Sequence, residues 1–118
     1  MRRTEETAET SFAWVKALRA AALLLNREVC RYVLACRADL EPEHRRYLER
    51  VSRRAWDEAY ELYDAGVWEH FEIDEVELRR RALVVASLRQ TGRVEEAAEE
   101  EREALRRAIS STREMTAA

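Results

Sequence analysis

The chain has 118 residues, of which 47% are hydrophobic and 38% charged, with a formal net charge of −3. These values fit one folded domain, exclude a disordered tail and disfavour nucleic acid as an obligatory partner. Only two glycines and one proline are present, whereas the helix formers alanine, leucine, glutamate and arginine dominate. The sequence therefore predicts an all-α protein, and four helical segments make an antiparallel four-helix bundle the expected architecture.

The first ten residues lack the apolar run that a signal peptide needs. The longest uncharged stretches, residues 20–26 and 82–88, are too short to cross a bilayer. We expect a cytoplasmic protein without membrane association. A single domain should cover residues 11–112, and residues 1–10 and 113–118 should fray.

The first predicted helix covers residues 11–38. Apolar or small residues recur there in steps of three and four, which indicates a heptad-like seam; they are Val15, Leu18, Ala22, Leu25, Val29, Tyr32 and Cys36. A second apolar row lies beside this seam, so the helix should be central in the bundle or form half of an oligomer interface. Cys30 and Cys36 lie about 9 Å apart along this helix and cannot form a disulfide, so both should pack as small apolar groups.

The second predicted helix covers residues 42–65, with Asp39 as its N-cap and Gly66 as its stop. Its core stripe is Leu48, Val51, Ala55, Ala59 and Leu62, and the aromatic line Trp56, Tyr60 and Tyr63 runs beside it. This line belongs either to the core or to the edge of an interface. On the opposite face, arginines in the first half precede acidic residues in the second half, an order that opposes the helix macrodipole.

The stretch GVWEHFEIDE at residues 66–75 raises the question of a metal or acid-base site. A metal centre would draw on Glu28, Glu41, His44 and His70. Carboxylate-bridged di-metal bundles need two Glu-x-x-His pairs, however, and Glu41 with His44 is the only such pair. We therefore expect no metal and no cofactor. The stretch should be a connection that Trp68, Phe71 and Ile73 anchor to the bundle, with its acidic residues in water.

The third and fourth predicted helices cover residues 74–91 and 93–110. Asp74 is the expected N-cap of the third, whose apolar positions are Val76, Leu83, Val85, Ala86 and Leu88, and Gly92 should end it. Charged pairs Glu75–Arg79, Glu77–Arg81 and Glu103–Arg107 have the favourable i,i+4 order.

From Leu88 onward, the spacing of Gly92, Ala97, Ala104 and Leu105 resembles one tetratricopeptide repeat. Arg81 and Val85 stand where that family has Trp and Gly, and no second copy follows. Repeat proteins need several copies to bury a core. We therefore interpret the segment as a helix-turn-helix outside that family.

Catalytic motifs are absent from the sequence. Neither cysteine has a histidine nearby, no serine lies in a nucleophile elbow, and there is no glycine-rich phosphate loop. The sequence thus favours a non-enzymatic role.

Three functional hypotheses follow. The first is an adaptor or assembly subunit that self-associates, most simply as a dimer, or binds another protein; its interface residues would be Leu18, Leu25, Val29, Tyr32, Trp56, Tyr60 and Tyr63. The second is a nucleic-acid-associated bundle that contacts phosphates through Arg45, Arg46, Arg50, Arg53 and Arg54; no exposed aromatic residue is expected among them, which weakens single-strand recognition. The third is a ferritin-like metal bundle built on the four residues named above.

Overall fold

A computed structural model describes the backbone of residues 2–64 and 67–111 and the side chains of residues 12–63 and 67–111. The class is all-α, as predicted. Four helices pack against one another: α1 (Arg2–Cys36), α2 (Pro42–Asp64), α3 (Glu75–Gln90) and α4 (Val94–Ala108). A 3-10 turn (Val67–Glu69) and two short strands, β1 (Phe71–Ile73) and β2 (Ile109–Ser111), complete the described chain.

Helix α1 is the central helix of the described fold, which is one of the two positions that its wide apolar stripe predicts. It contacts all three other helices and both strands. Helix α2 packs antiparallel to α1. Arg45 near the start of α2 donates to the backbone oxygens of Leu34 and Arg37 at the end of α1 (3.3 and 2.8 Å), and Trp56 further along α2 contacts Arg27, which lies earlier in α1.

Helices α3 and α4 form a second antiparallel pair, closed at its open end by the strands. Residues 71–73 of β1 pair antiparallel with residues 109–111 of β2, and the Asp74 N–H donates to the Ala108 oxygen (2.7 Å). The sequence pattern predicted helix through residue 110 and gave no sign of this pairing, because it joins residues that are far apart along the chain.

The predicted start and end of α3 are both confirmed. The Asp74 carboxylate accepts hydrogen bonds from the Val76 and Glu77 N–H groups (3.0 and 3.1 Å). At the other end, Gly92 has φ of 77°, and its N–H and that of Arg93 donate to the Arg89 and Leu88 oxygens, which is a Schellman motif.

Alanine forms more than half of the buried hydrophobic residues among those described, so the helices meet through small side chains. In α1 the buried positions include Ala13, Ala17, Ala20, Ala21 and Leu24. The predicted seam is therefore wrong in part: Val15, Ala22 and Cys36 are exposed. The stripe that the sequence predicted meets the core at Leu25 and Val29, whereas the first half of α1 packs through alanines beside that stripe.

Three further expectations, for α3, α2 and α1, need correction. In α3, Val76 and Leu83 are exposed (61% and 49%), whereas Leu78, not among the predicted positions, is 1% exposed. Asp39 does not cap α2, because its carboxylate binds Arg37 (2.8 Å). Helix α1 begins at Arg2, before the predicted start at residue 11, and residues 113–118 lie outside the described part.

Candidate functional site

The structure does not assemble the metal candidates. Glu28 pairs with Arg27 and Arg31 (3.0 and 3.5 Å), whereas Glu41 and His44 are exposed at the start of α2 and His70 is half-buried in the connection. Among the residues that the structure describes, no group of three His, Cys, Asp or Glu side chains could hold a metal ion.

The stretch after α2 is a connection, made of the 3-10 turn and β1. Val67 (1% exposed) and Phe71 (9%) fix it to the core, and the Phe71 ring lies 5.4 Å from that of Trp14. Trp68, which was expected to be an anchor, is 55% exposed. Its place is taken by Val67, because the 3-10 turn points that smaller side chain inward.

Two of the interface candidates on α1 are used within the chain itself. Leu25 and Val29 are 3% and 5% exposed and belong to the core, and Leu18 and Tyr32 pack against that core while half-buried. Leu25 and Val29 are therefore covered by the chain's own helices, which leaves the exposed surfaces available to a partner.

The aromatic line of α2 borders a groove and does not fill the core. Helices α2 and α3 both pack on α1, and the space between α2 and α3 forms a groove of about 490 Å³. Trp56 and Tyr60 are exposed (37% and 58%), their rings 6.0 Å apart, and Tyr63 is half-buried. Burial, and then the charges of Glu72 and Glu75, raise the pKa of the Tyr63 phenol.

The five arginines of α2 do not act as one set. Arg45 holds the end of α1 through the two backbone contacts described above, and the Arg46 Nε donates to the Pro42 oxygen (3.3 Å). Arg50, Arg53 and Arg54 are exposed. Of the five, these three are the ones whose guanidinium groups form no hydrogen bond or ion pair with other described residues.

An exposed aromatic residue lies among these arginines, contrary to expectation. Tyr47 is 55% exposed and shares a shallow depression with Arg50, Arg53 and Arg54. Tyr47 directly precedes the predicted core position Leu48, and its exposure was not predicted. Adjacent residues on a helix lie about 100° apart around its axis, so the residue beside a core position can face solvent.

Helix α2 differs from α3 and α4 in how its charges are used. Within the described residues, no α2 side chain takes part in an ion pair. In contrast, Arg81 on α3 binds Glu77 (3.2 Å) and Glu100 of α4 (2.7 Å), two contacts that raise the pKa of Arg81. Arg89 also binds Glu101 across the two helices.

Of the three predicted i,i+4 pairs, Glu77–Arg81 and Glu103–Arg107 are present (3.2 and 2.7 Å). Glu75 and Arg79 both line the groove and form no ion pair within the described part of the chain. The groove therefore has charged groups that form no ion pair with any other described residue.

Comparisons with known proteins give no match: no protein-family model matches the sequence, and no match was found among the curated proteins or the solved structures. Among the described helices, none has the length and apolar character needed to cross a membrane.

Proposed function

We propose that this protein is a non-enzymatic interaction module of the cytoplasm that associates with a second copy through the outer face of α2, as an adaptor or assembly subunit. We define the α2 outer face by Arg46, Arg50, Arg53, Asp57 and Glu61. The observation that carries the proposal is that these exposed charges form no ion pair in the described chain and are sorted by sign along the helix.

Sorted charges on one helix favour an antiparallel twofold arrangement, because the basic half of each copy then faces the acidic half of the other. In the alignment that places Arg53 opposite Asp57 of the second copy, Arg50 lies opposite the exposed ring of Tyr60. Steps of three and four residues keep all these positions on one face. Twofold symmetry forms each contact twice.

The strength of this association follows from its chemistry. Exposed ion pairs contribute about 0.2–1 kcal/mol each, and a cation over an exposed aromatic ring contributes about 0.5–1 kcal/mol. We therefore expect a weak, reversible dimer whose dissociation constant rises with salt concentration.

Sedimentation equilibrium at low and high salt tests the proposal. Arg53→Asp and Asp57→Arg should each weaken the dimer, and the double variant should restore it, because the swap recreates both pairs with opposite polarity. Arg102→Asp on the exposed part of α4 is the matched control. A wild-type chain that stays monomeric at low salt, or a dimer indifferent to both single changes, would contradict the proposal.

A second candidate, phosphate contact with single-stranded nucleic acid, gains support from Tyr47. An exposed ring on which a base can stack, beside three guanidinium groups without ion pairs, is the composition of such sites. Glu43 and Glu49 nearby and the negative net charge weaken this candidate.

Retention of single-stranded RNA at low salt separates the two candidates. Tyr47→Ala should lower retention if RNA binds here, with the equally exposed Tyr60→Ala as control. Asp57→Arg should strengthen RNA retention but weaken self-association, so this one variant moves the two readouts in opposite directions. No retention of wild-type protein at low salt would end the second candidate.

A further inference from the structure

The groove between α2 and α3 has the size and lining of a small-molecule site. Its volume of about 490 Å³ lies in the usual range for ligand pockets, about 300–1,000 Å³. Leu24, Ala59 and Ile73 line its apolar part, and Ala59 supplies room because its side chain is small. The rings of Trp56, Tyr60 and Tyr63 complete the wall on the α2 side.

The opposite wall carries the charges. Glu72 lies in β1, Asp74 is the N-cap of α3 and Glu75 is its first residue. All three line the groove. The Asp74 carboxylate is occupied by the N–H groups of Val76 and Glu77. Glu72 and Glu75 form no ion pair and no side-chain hydrogen bond within the described chain, although their charges both act on Tyr63.

Unpaired carboxylates beside aromatic rings select the charge of a ligand. The faces of Trp and Tyr rings attract cations, and carboxylates do so more strongly. The preference is visible in the fold itself, since the Arg27 guanidinium lies 4.5 Å from the centre of the Trp56 ring. A neutral apolar ligand would remove water from Glu72 and Glu75 without replacing it, which costs free energy.

Arg79 is the one lining residue that opposes this preference. The lining holds three carboxylates and this one guanidinium, a formal charge of −2, because the hydrogen bonds that the Asp74 Oδ1 accepts leave its charge in place. The lining therefore favours a positive group.

We propose that this groove binds an organic cation with an apolar body, whose ammonium group lies between Glu72 and Glu75 and whose body lies against Tyr60, Leu24 and Ile73. This site adjoins the contacts proposed for self-association and shares Tyr60 with them, whereas Arg53 and Asp57 do not line the groove.

Two probes with the same body and opposite charge test the proposal: phenethylammonium and hydrocinnamate. The readout is the nuclear magnetic resonance shift of the Trp56 indole N–H during titration of the full-length protein, assigned by comparison with Trp56→Phe. We expect saturable binding of phenethylammonium, and for hydrocinnamate an affinity lower by about tenfold or more, since the charge of the probe reverses its interaction with the lining.

The double variant Glu72→Gln/Glu75→Gln should lower the affinity for phenethylammonium by about tenfold, while Glu99→Gln on the exposed face of α4 should not change it. If the double variant does not fold, as judged by circular dichroism, Tyr60→Ala serves instead. Tyr60 is 58% exposed, so its removal should reduce binding without unfolding. Equal affinity for the two probes, no shift with phenethylammonium, or unchanged binding to the variants would overturn the proposal.

Discussion

At the scale of single residues, the two cysteines differ in environment although they share α1. Cys30 is buried and Cys36 is exposed, and burial raises the pKa of the Cys30 thiol. The thiolate is the reactive form, so both shielding and pKa protect Cys30. Because folding raises this pKa, the stability that the neutral thiol contributes is complete below the unfolded thiol pKa and is lost as pH rises through the folded one.

We therefore expect alkylation with iodoacetamide at neutral pH to modify Cys36 well before Cys30, as followed by mass spectrometry of the intact chain. Cys36→Ser should remove the fast phase, and Cys30→Ser should leave it in place. Equal rates for the two thiols in the native protein would show that the described burial of Cys30 is wrong.

Which residue-scale features could be predicted depends on how far the partner lies along the chain. The N-cap at Asp74 and the Glu77–Arg81 pair were predictable because each involves partners within four positions. The role of Asp39 was not predictable, because Arg37 lies as close along the chain as the N–H groups that Asp39 would have capped, and the carboxylate binds Arg37. The contribution of Arg45 was also hidden, since its acceptors are backbone oxygens of another helix.

At the scale of elements, the turn between α3 and α4 depends on one backbone conformation. Gly92 has φ of +77°, a region that costs other residues roughly 1–2 kcal/mol. A Cβ at this position would meet nothing within 4 Å, so any cost of substitution comes from the backbone alone.

Gly92→Ala should accordingly lower the free energy of unfolding by about 1 kcal/mol, measured by urea denaturation. Gly92→Asn should cost less, because asparagine tolerates this conformation better. If both variants were as stable as the wild type, the assigned Schellman geometry would be incorrect.

Helix boundaries were largely predictable, whereas the use of helix faces was only partly so. Capping residues and glycine mark helix ends through contacts within a few positions of the chain. The described ends of α2, α3 and α4 fall within two residues of the predicted ones. The strand pair at residues 71–73 and 109–111 depends on two distant segments meeting, and no local period announces it. The groove was hidden for a similar reason: it exists because α2 and α3 both pack on α1 and leave space between them.

At the scale of the whole molecule, packing through alanine makes neighbouring positions on α1 unequal. Ala21 is fully buried and Ala22 is exposed, although both carry the same side chain. Ala21→Leu should overpack the helix contacts and lower the free energy of unfolding by about 1–3 kcal/mol. Ala22→Leu should change it by less than about 0.5 kcal/mol.

Thermal and urea denaturation of the two variants provide the measurement, with Ala22→Leu as the matched control. Equal stability of Ala21→Leu and wild type would mean that the helices are less closely packed than described. Leu25→Asp should unfold the chain in the same measurement, because Leu25 is 3% exposed and an unpaired carboxylate would be placed in the core.

The dependence of α2 on a single neighbour has a consequence for how the molecule opens. The α3–α4 pair is closed by strands and joined by Arg81, whereas α2 packs chiefly on α1 through small residues such as Ala55 and Ala59. Among the described residues of α2, the buried side chains are the small ones of Ser52, Ala55 and Ala59, and segments with few buried apolar groups open at lower free energy than the global transition. In native-state hydrogen exchange, the amides of α2 should therefore lose protection as one group before those of α1 and α3. The helix that carries most of the proposed contacts is then also the first to unfold locally.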